Sequence, residues 1–360
     1  MGRISAFEGL RGVMACWVML FHIAAFSGMS FANAIQPDIP VDVFILISGF
    51  VIAHLFTAKD EPYGQFIFRR FMRLYPIYLL ALALAIGLTE VYRHIIFDSP
   101  LSPFMGSQQE RQTEVDEAFL VHIAVHLTLL HGALPDAVLP RSSMAILSPA
   151  WSISLEWQFY LIAPFVIGWI KTLRRFFIAL TLAYIGFWLI RLSGLEFGKP
   201  SFILQRLPHF ILGIGAYLFY FKLLHEGKAS PRQSKFLLII GTVCAVALAS
   251  QAVFIGFLFL LAISWPLNLR GGGLASRIDS ALSSHWVVAV GAASYSIYIL
   301  HVPIIWLVLH FLMPVVGGNR YGIFAIMLAV VPAVTIAISM QTYRYVEKPL
   351  MRLRLTPRVN

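Results

Sequence analysis

Charge is what this sequence is short of. Only 12% of its 360 residues are charged, against 59% hydrophobic and a mean hydropathy of +0.79. A water-soluble domain carries about twice that share of charge to cover its surface, so a soluble globular class is excluded. Cysteine is scarcer still. Cys16 and Cys244 are the only two, and both fall in apolar runs, which argues against a disulfide framework. There is no Asn-x-Ser/Thr sequon, compatible with a bacterial envelope. Metal-ligand spacing, a Gly-rich phosphate loop after a strand and a serine-nucleophile elbow are all missing. No internal repeat marks the duplicated halves of a transporter. The start, MGRISAFEGLRG, has no signal-peptide cleavage site and the apolar run after it carries Arg11 and His22, so the first helix is expected to be retained.

Long apolar runs are what the chain has in their place. About 20 residues of helix span the roughly 30 Å of bilayer hydrocarbon. Ten runs of that kind predict an all-α, polytopic membrane helix bundle: about 7–27, 40–58, 73–92, 151–170, 175–193, 205–222, 235–250, 252–268, 286–311 and 321–343. The run 118–134 is an eleventh candidate. If it does not cross, 20 of the 27 Lys and Arg collect on one side, the cytoplasmic one, because translocated loops retain few cations. The expectation is therefore an interfacial or re-entrant helix at 118–134, both termini in the cytoplasm, and one membrane domain over 1–360 without an appended soluble domain. The net charge of +10 then reflects this bias and contact with anionic lipid headgroups, and is no sign of nucleic acid. The segment 93–150 is the one sizeable outer connection and holds six of the 17 acids. It fits a lid or acceptor-binding loop, and equally a solvated spacer.

Ionisable residues inside spans are costly and mark sites, ion pairs or proton paths. Arg11 and His22 are eleven steps apart on the first helix, about three turns, so both lie on one stripe. His22, Asp42, Glu156 and Arg206 all fall toward the outer ends of spans and predict one polar cluster, in which a carboxylate orients the imidazole of His22 as a base. Unrelated packing and interface roles are the competing reading. At the inner face FIFRRFMRLYPIY supplies Arg69, Arg70 and Arg73, which with Arg11 can clamp phosphates or simply anchor the inner face. AASYSIYILHVPIIW brings Tyr295, Ser296 and His301, residue types that also hold membrane helices together. Ser48 lies in VDVFILISGFVI, and Gly213 and Gly215 are small residues that suit close helix packing.

Taken in order, FEGLRG with Arg11 and His22, VDVFILISGFVI, RRFMRLYPIYLL, AWSISLEWQFYL, RLPHFILGIGAYL, SYSIYILHVPII and YRYVEKPL resemble the acyltransferase family 3 membrane proteins, bacterial enzymes that O-acylate surface glycans, exopolysaccharides and Nod factors. The pieces run from residue 6 to 350. One departure is Trp157, where the family often has a second acid beside Glu156. The resemblance implies an O-acyltransferase of the bacterial inner membrane, with acyl-CoA, acetyl-CoA first, as co-substrate and no tightly bound cofactor or metal. The acceptor it implies is a glycan, glycolipid or small hydroxyl-bearing molecule. His22, Asp42 and Glu156 would be catalytic, Arg11, Arg69, Arg70 and Arg73 would bind the donor, and Arg206, Ser48, Tyr295, Ser296 and His301 would support the site. A multi-span transporter or flippase of a glycan or lipid intermediate is the alternative.

Overall fold

A computed structural model describes residues 5–58, 61–222, 239–244, 246–248, 250, 274–353 and 355, and among these there is no strand. The principal helices are α1 Ser5–Phe26, α2 Asp38–Ala58, α3 Tyr63–Gly87, α4 Gly106–Asp116, α5 Phe119–Leu127 and α6 Ala150–Trp169. They are followed by α7 Leu173–Leu192, α8 Ile203–Ala216, α9 Leu274–Leu282, α10 His285–Ala292, α11 Ser294–Val316 and α12 Arg320–Thr342.

Six helical stretches among the described residues are long and apolar enough to cross a membrane: Ser5–Phe26, Ala32–Ala58, Tyr63–Gly87, Leu173–Leu192, Ser294–Val316 and Arg320–Leu350. The run 286–311 is divided at Ala293, between α10 and α11, and still gives one of the six, Ser294–Val316. The four expected runs without a counterpart have separate causes. The run 205–222 gives a 14-residue helix that loosens into a π-turn at Tyr217–Phe221. The run 151–170 becomes the 20-residue α6, whose length suffices but whose first half carries Ser152, Ser154, Glu156 and Gln158. The run 252–268 lies outside the described residues, and 235–250 falls only partly within them.

Small residues let the helices approach, as packing without a hydrophobic driving force requires. A Cβ on Gly49 of α2 would sit 2.2 Å from the Phe210 carbonyl oxygen of α8, and one on Gly213 would sit 2.1 Å from that of Leu46. These two helices therefore touch backbone to backbone. Gly215 is filled against the Phe176 ring of α7, so both glycines serve packing. Gly12 and Gly291 make the same kind of contact between α1 and α10.

The segment 93–150 is folded. Arg93 pairs with Asp116 at 2.5 Å, and Arg141 with Glu114 at 3.0 Å, which holds the Glu114 carboxyl below its ordinary value. The run 118–134 yields only the nine residues of α5, about 14 Å of helix, too short to cross. Its polarity is inverted: His122 and His126 are buried while Leu120, Val121 and Leu127 are exposed. That is the pattern of a helix lying in an apolar surface.

Candidate functional site

Three cavities follow one another through the bundle. The largest, about 430 Å³, is lined by Arg11, Arg69, Arg70 and Arg73 together with Glu8, Ser294, Tyr295 and Glu347. A narrow one of about 40 Å³ shares Arg11, Ser294 and Tyr295 with it and adds Ser48, Phe44, Glu156 and Tyr298. The third, about 190 Å³, shares Val41 and Tyr298 with the narrow one and is lined by His22, Asp38, Arg111 and Lys199. Shared lining residues set the three end to end, and this series is the passage. Arg11 lines its first two cavities and His22 the third, and α1 carries the two on one stripe, separated by a helical rise of about 16 Å.

At the arginine end, α3 supplies Arg69, Arg70 and Arg73 from one turn, and α1 brings Arg11. Arg70 is buried, its guanidinium over the rings of Phe66 at 5.7 Å and Tyr160 at 5.8 Å. Its Nε and Nη1 have no hydrogen-bond partner in the protein. Buried donors without acceptors are costly, so these two atoms stand free to take acceptor oxygens. Arg69 is partly committed by its ion pair with Glu61. Ser296, expected in the site, lies just behind the cavity wall, where it donates to Glu347 and stands 3.0 Å from the Thr342 hydroxyl. Tyr295 donates to the Leu74 carbonyl at 2.6 Å, fixing its ring at the narrowing.

At the opposite end His22 packs against His301, ring centroids 5.0 Å apart. The Nδ1 of His301 lies 3.2 Å from the Ile297 carbonyl oxygen. A carbonyl only accepts, so the proton sits on Nδ1 and leaves Nε2 as a lone pair. That Nε2 is buried without a partner. The cavity beside it is covered by Ser107, Gln108 and Arg111 of α4 and by Met144 and Ser148 of the loop before α6. The segment 93–150 is thus wall and roof of the His22 cavity, which removes the spacer reading.

His22, Asp42, Glu156 and Arg206 do not form one cluster. The Asp42 carboxylate is taken by Arg206 at 3.1 Å and stands 3.7 Å from the His209 Nε2, in the α2/α8 interface. The reason is helical phase. Val41, Phe44, Ile45 and Ser48 face the passage, whereas Asp42, Leu46 and Gly49 occupy the adjoining stripe, about 100° round, that meets α8. Glu156 does face the passage, in the narrow cavity, accepting from Ser48 at 3.2 Å and from Tyr160. Neither Asp42 nor Glu156 lines the His22 cavity, so neither orients that imidazole. The carboxylate that does line it is Asp38, 3.8 Å from Lys199.

Asp38, Arg111 and Lys199 stand out in no motif of the sequence, whereas Tyr298 lies in SYSIYILHVPII close to Tyr295 and Ser296. Of the first three only Asp38 left a trace, since it stands three, seven and ten residues before Val41, Ile45 and Ser48 on the passage face of α2. Arg111 and Lys199 arrive from separate parts of the chain.

Protein 2 in picA locus of Rhizobium radiobacter is 30% identical over 159 residues, which cover 43% of this chain and 77% of that protein. Peptidoglycan O-acetyltransferase OatA of Listeria monocytogenes is 25% identical over 384 residues, 97% of this chain and 56% of OatA. Acyltransferase MdmB of Streptomyces mycarofaciens is 28% identical over 181 residues, 48% of this chain and 41% of MdmB. The chain thus spans about half the length of the last two. No solved structure matches. A family model described as an acyltransferase domain matches residues 4–340, nearly the whole described bundle, and the chain belongs to acyltransferase family 3.

Proposed function

We propose that the protein is an acyl-CoA-dependent O-acyltransferase of the bacterial inner membrane, acting on a hydroxyl of a glycan, glycolipid or small acceptor. The observation that carries this is the passage itself: unpaired guanidinium donors at one end, two imidazoles at the other, and about 16 Å of helix between them. The phosphates of CoA suit Arg70, Arg73 and Arg11, which offer planar, permanently charged donors. The pantetheine arm is long enough to follow the passage, which puts the thioester beside His22. On the charge bias of the loops, the arginine end faces the cytoplasm, where acyl-CoA is found, and the roofed His22 cavity faces the acceptor.

In this scheme His22 takes the proton of the acceptor hydroxyl as its oxygen attacks the thioester carbon. The C–S bond breaks as the new C–O bond forms, and the imidazolium returns its proton to the departing thiolate, giving the ester and CoA thiol. His301 replaces the expected carboxylate as the group that holds His22 in place. Direct transfer needs both substrates bound together, so ping-pong initial-rate kinetics would instead assign an acyl-histidine intermediate.

The test is release of free thiol from acetyl-CoA by detergent-purified protein, with and without a glycan extract as acceptor. Acceptor-dependent release in the wild type and a loss of about a hundredfold or more in His22→Ala, with the variant still inserted and folded, is the expected result. Undiminished release by the variant removes His22 from the chemistry. Movement of the acceptor with no donor requirement would instead favour a transporter or flippase.

A further inference from the structure

The wall of the His22 cavity carries two cations, Arg111 and Lys199. Both stand near enough to His22 to act on its imidazole electrostatically. The acids of α4 do not neutralise Arg111: Glu114 is paired with Arg141 and Asp116 with Arg93, and Glu110 is exposed and no part of the cavity wall. Among the described residues the one hydrogen-bond partner of Arg111 is the Tyr92 hydroxyl, to which Nη2 donates at 3.0 Å. Tyr92 is itself buried and stacked on Trp306, ring centroids 4.4 Å apart. The guanidinium is thus anchored at one nitrogen, and the rest of its fork is left for the cavity. Lys199, from the loop before α8, has its Nζ 3.8 Å from Asp38, beyond hydrogen-bond distance. Asp38 is the one carboxylate that this wall sets against the two cations among the described residues. Trp151 and Phe26 add aromatic faces, and Ser107 and Gln108 add neutral hydrogen-bonding groups.

We infer that the His22 cavity is the site of a glycan acceptor that carries an anionic group, and that Arg111 and Lys199 bind this group. The inference rests on the acyltransferase reading above and adds the chemical class of the acceptor. A neutral sugar in this space leaves the excess positive charge of the wall uncancelled, whereas a carboxylate or a phosphate cancels it. The free part of a guanidinium fork takes oxygens of either anion in charge-assisted bonds, and the Lys199 ammonium adds a point charge. The aromatic faces suit the apolar faces of a sugar ring, and Ser107 and Gln108 suit its hydroxyls. With the anion held at α4 and at the loop before α8, the hydroxyl that reaches His22 is one at a set distance from that anion, so the same contact selects the position acylated. The arginines of the donor end line the other two cavities and take no part in this. If Arg111 and Lys199 instead held the oxyanion of the reacting thioester carbonyl, their effect would be indifferent to the charge of the acceptor.

The experiment measures acceptor-dependent thiol release from acetyl-CoA by the detergent-purified protein on three forms of one glycan extract: untreated, with carboxyl groups reduced to alcohols, and with phosphate groups removed. The wild type is expected to lose about tenfold or more in kcat/KM for the acceptor on one of the treated forms, and the form affected names the anion. Arg111→Gln is expected to lose a similar factor on the untreated extract, to keep its KM for acetyl-CoA, and to lose little more on the treated form. Lys199→Gln should show the same pattern with a smaller factor. If Arg111→Gln yields no folded protein, Lys199→Gln and the wild-type comparison carry the test. Equal rates on all three forms by an active wild type overturn the anionic acceptor and leave the acyltransferase reading intact. Losses in the variants that are the same on treated and untreated extract overturn the assignment of the two cations to the acceptor. No acceptor-dependent release on any form, from acetyl-, propionyl- or succinyl-CoA, overturns the acyl-CoA reading and this inference with it.

Discussion

Asp42 shows how far a single side chain's role depends on one step of helical phase. It lies on α2 beside the passage, yet its carboxylate answers Arg206 and His209 across the α8 interface. Replacing Asp42 with alanine leaves a largely buried guanidinium without its partner, and breaking a buried pair in this way costs about 3–5 kcal/mol. The expected outcome is a markedly lower unfolding temperature in detergent, while turnover per folded molecule falls far less than in His22→Ala. Equal losses of turnover in the two variants would put Asp42 back among the reacting groups. His22 and His301 sit at the other extreme. They are 279 positions apart in the chain, and only the packing of α11 on α1 brings their rings to 5.0 Å.

At the scale of elements, α5 is the most unusual piece, because its histidines point inward and its leucines outward. His126 and His131 stack with ring centroids 4.0 Å apart, under Tyr78. His126 also bonds through Nδ1 to the His122 carbonyl at 2.8 Å. Burial pushes His126 down to about 4 and His131 well below its ordinary value, each also lowered by the neighbouring histidine. Both are therefore neutral in the fold. Above about pH 6.5 neither folded nor unfolded state takes the proton and stability is at its full value. As pH falls from about 6.5 to about 4, the unfolded segment binds protons that the folded one refuses, and stability is lost, by about 3 kcal/mol for His126 alone. Hydrogen-exchange protection of 93–150 should decline over that window in the wild type. The decline should be smaller in His126→Leu; an equal decline would place the acid sensitivity elsewhere.

At the scale of the whole molecule, the two ends of the passage differ in chemistry, and the proposed function gives each a side of the membrane. Four arginines surround one end, and 93–150 roofs the other. A membrane-impermeant maleimide applied to intact cells is expected to label Ser107→Cys on α4 and to spare Glu61→Cys beside Arg69, which becomes reactive once the membrane is opened. The reverse pattern would invert the bundle and put the arginine cavity out of reach of cytoplasmic acyl-CoA. Background should be low, since Cys244 is buried and Cys16 only partly accessible.

Composition and run length determined that this is a helical membrane protein, because a chain with 12% charge can satisfy its backbone in hydrocarbon as helices. The motif order carried the family. Periodicity along a single helix carried what one helix can carry: the Arg11–His22 stripe and the grouping of Arg69, Arg70 and Arg73 on one turn. Tertiary structure decided which helices present those stripes to each other. The division of 286–311 at Ala293 and the inversion of α5 are invisible to hydropathy, which averages over faces. The separation of Asp42 from His22 depended on the close approach of α2 and α8 at Gly49 and Gly213, where two backbones in contact fix the rotation of both helices. The narrow cavity likewise exists only because side chains from α1, α2, α6, α8 and α11 meet there, and the space between five helices is a property of their packing that no one segment encodes.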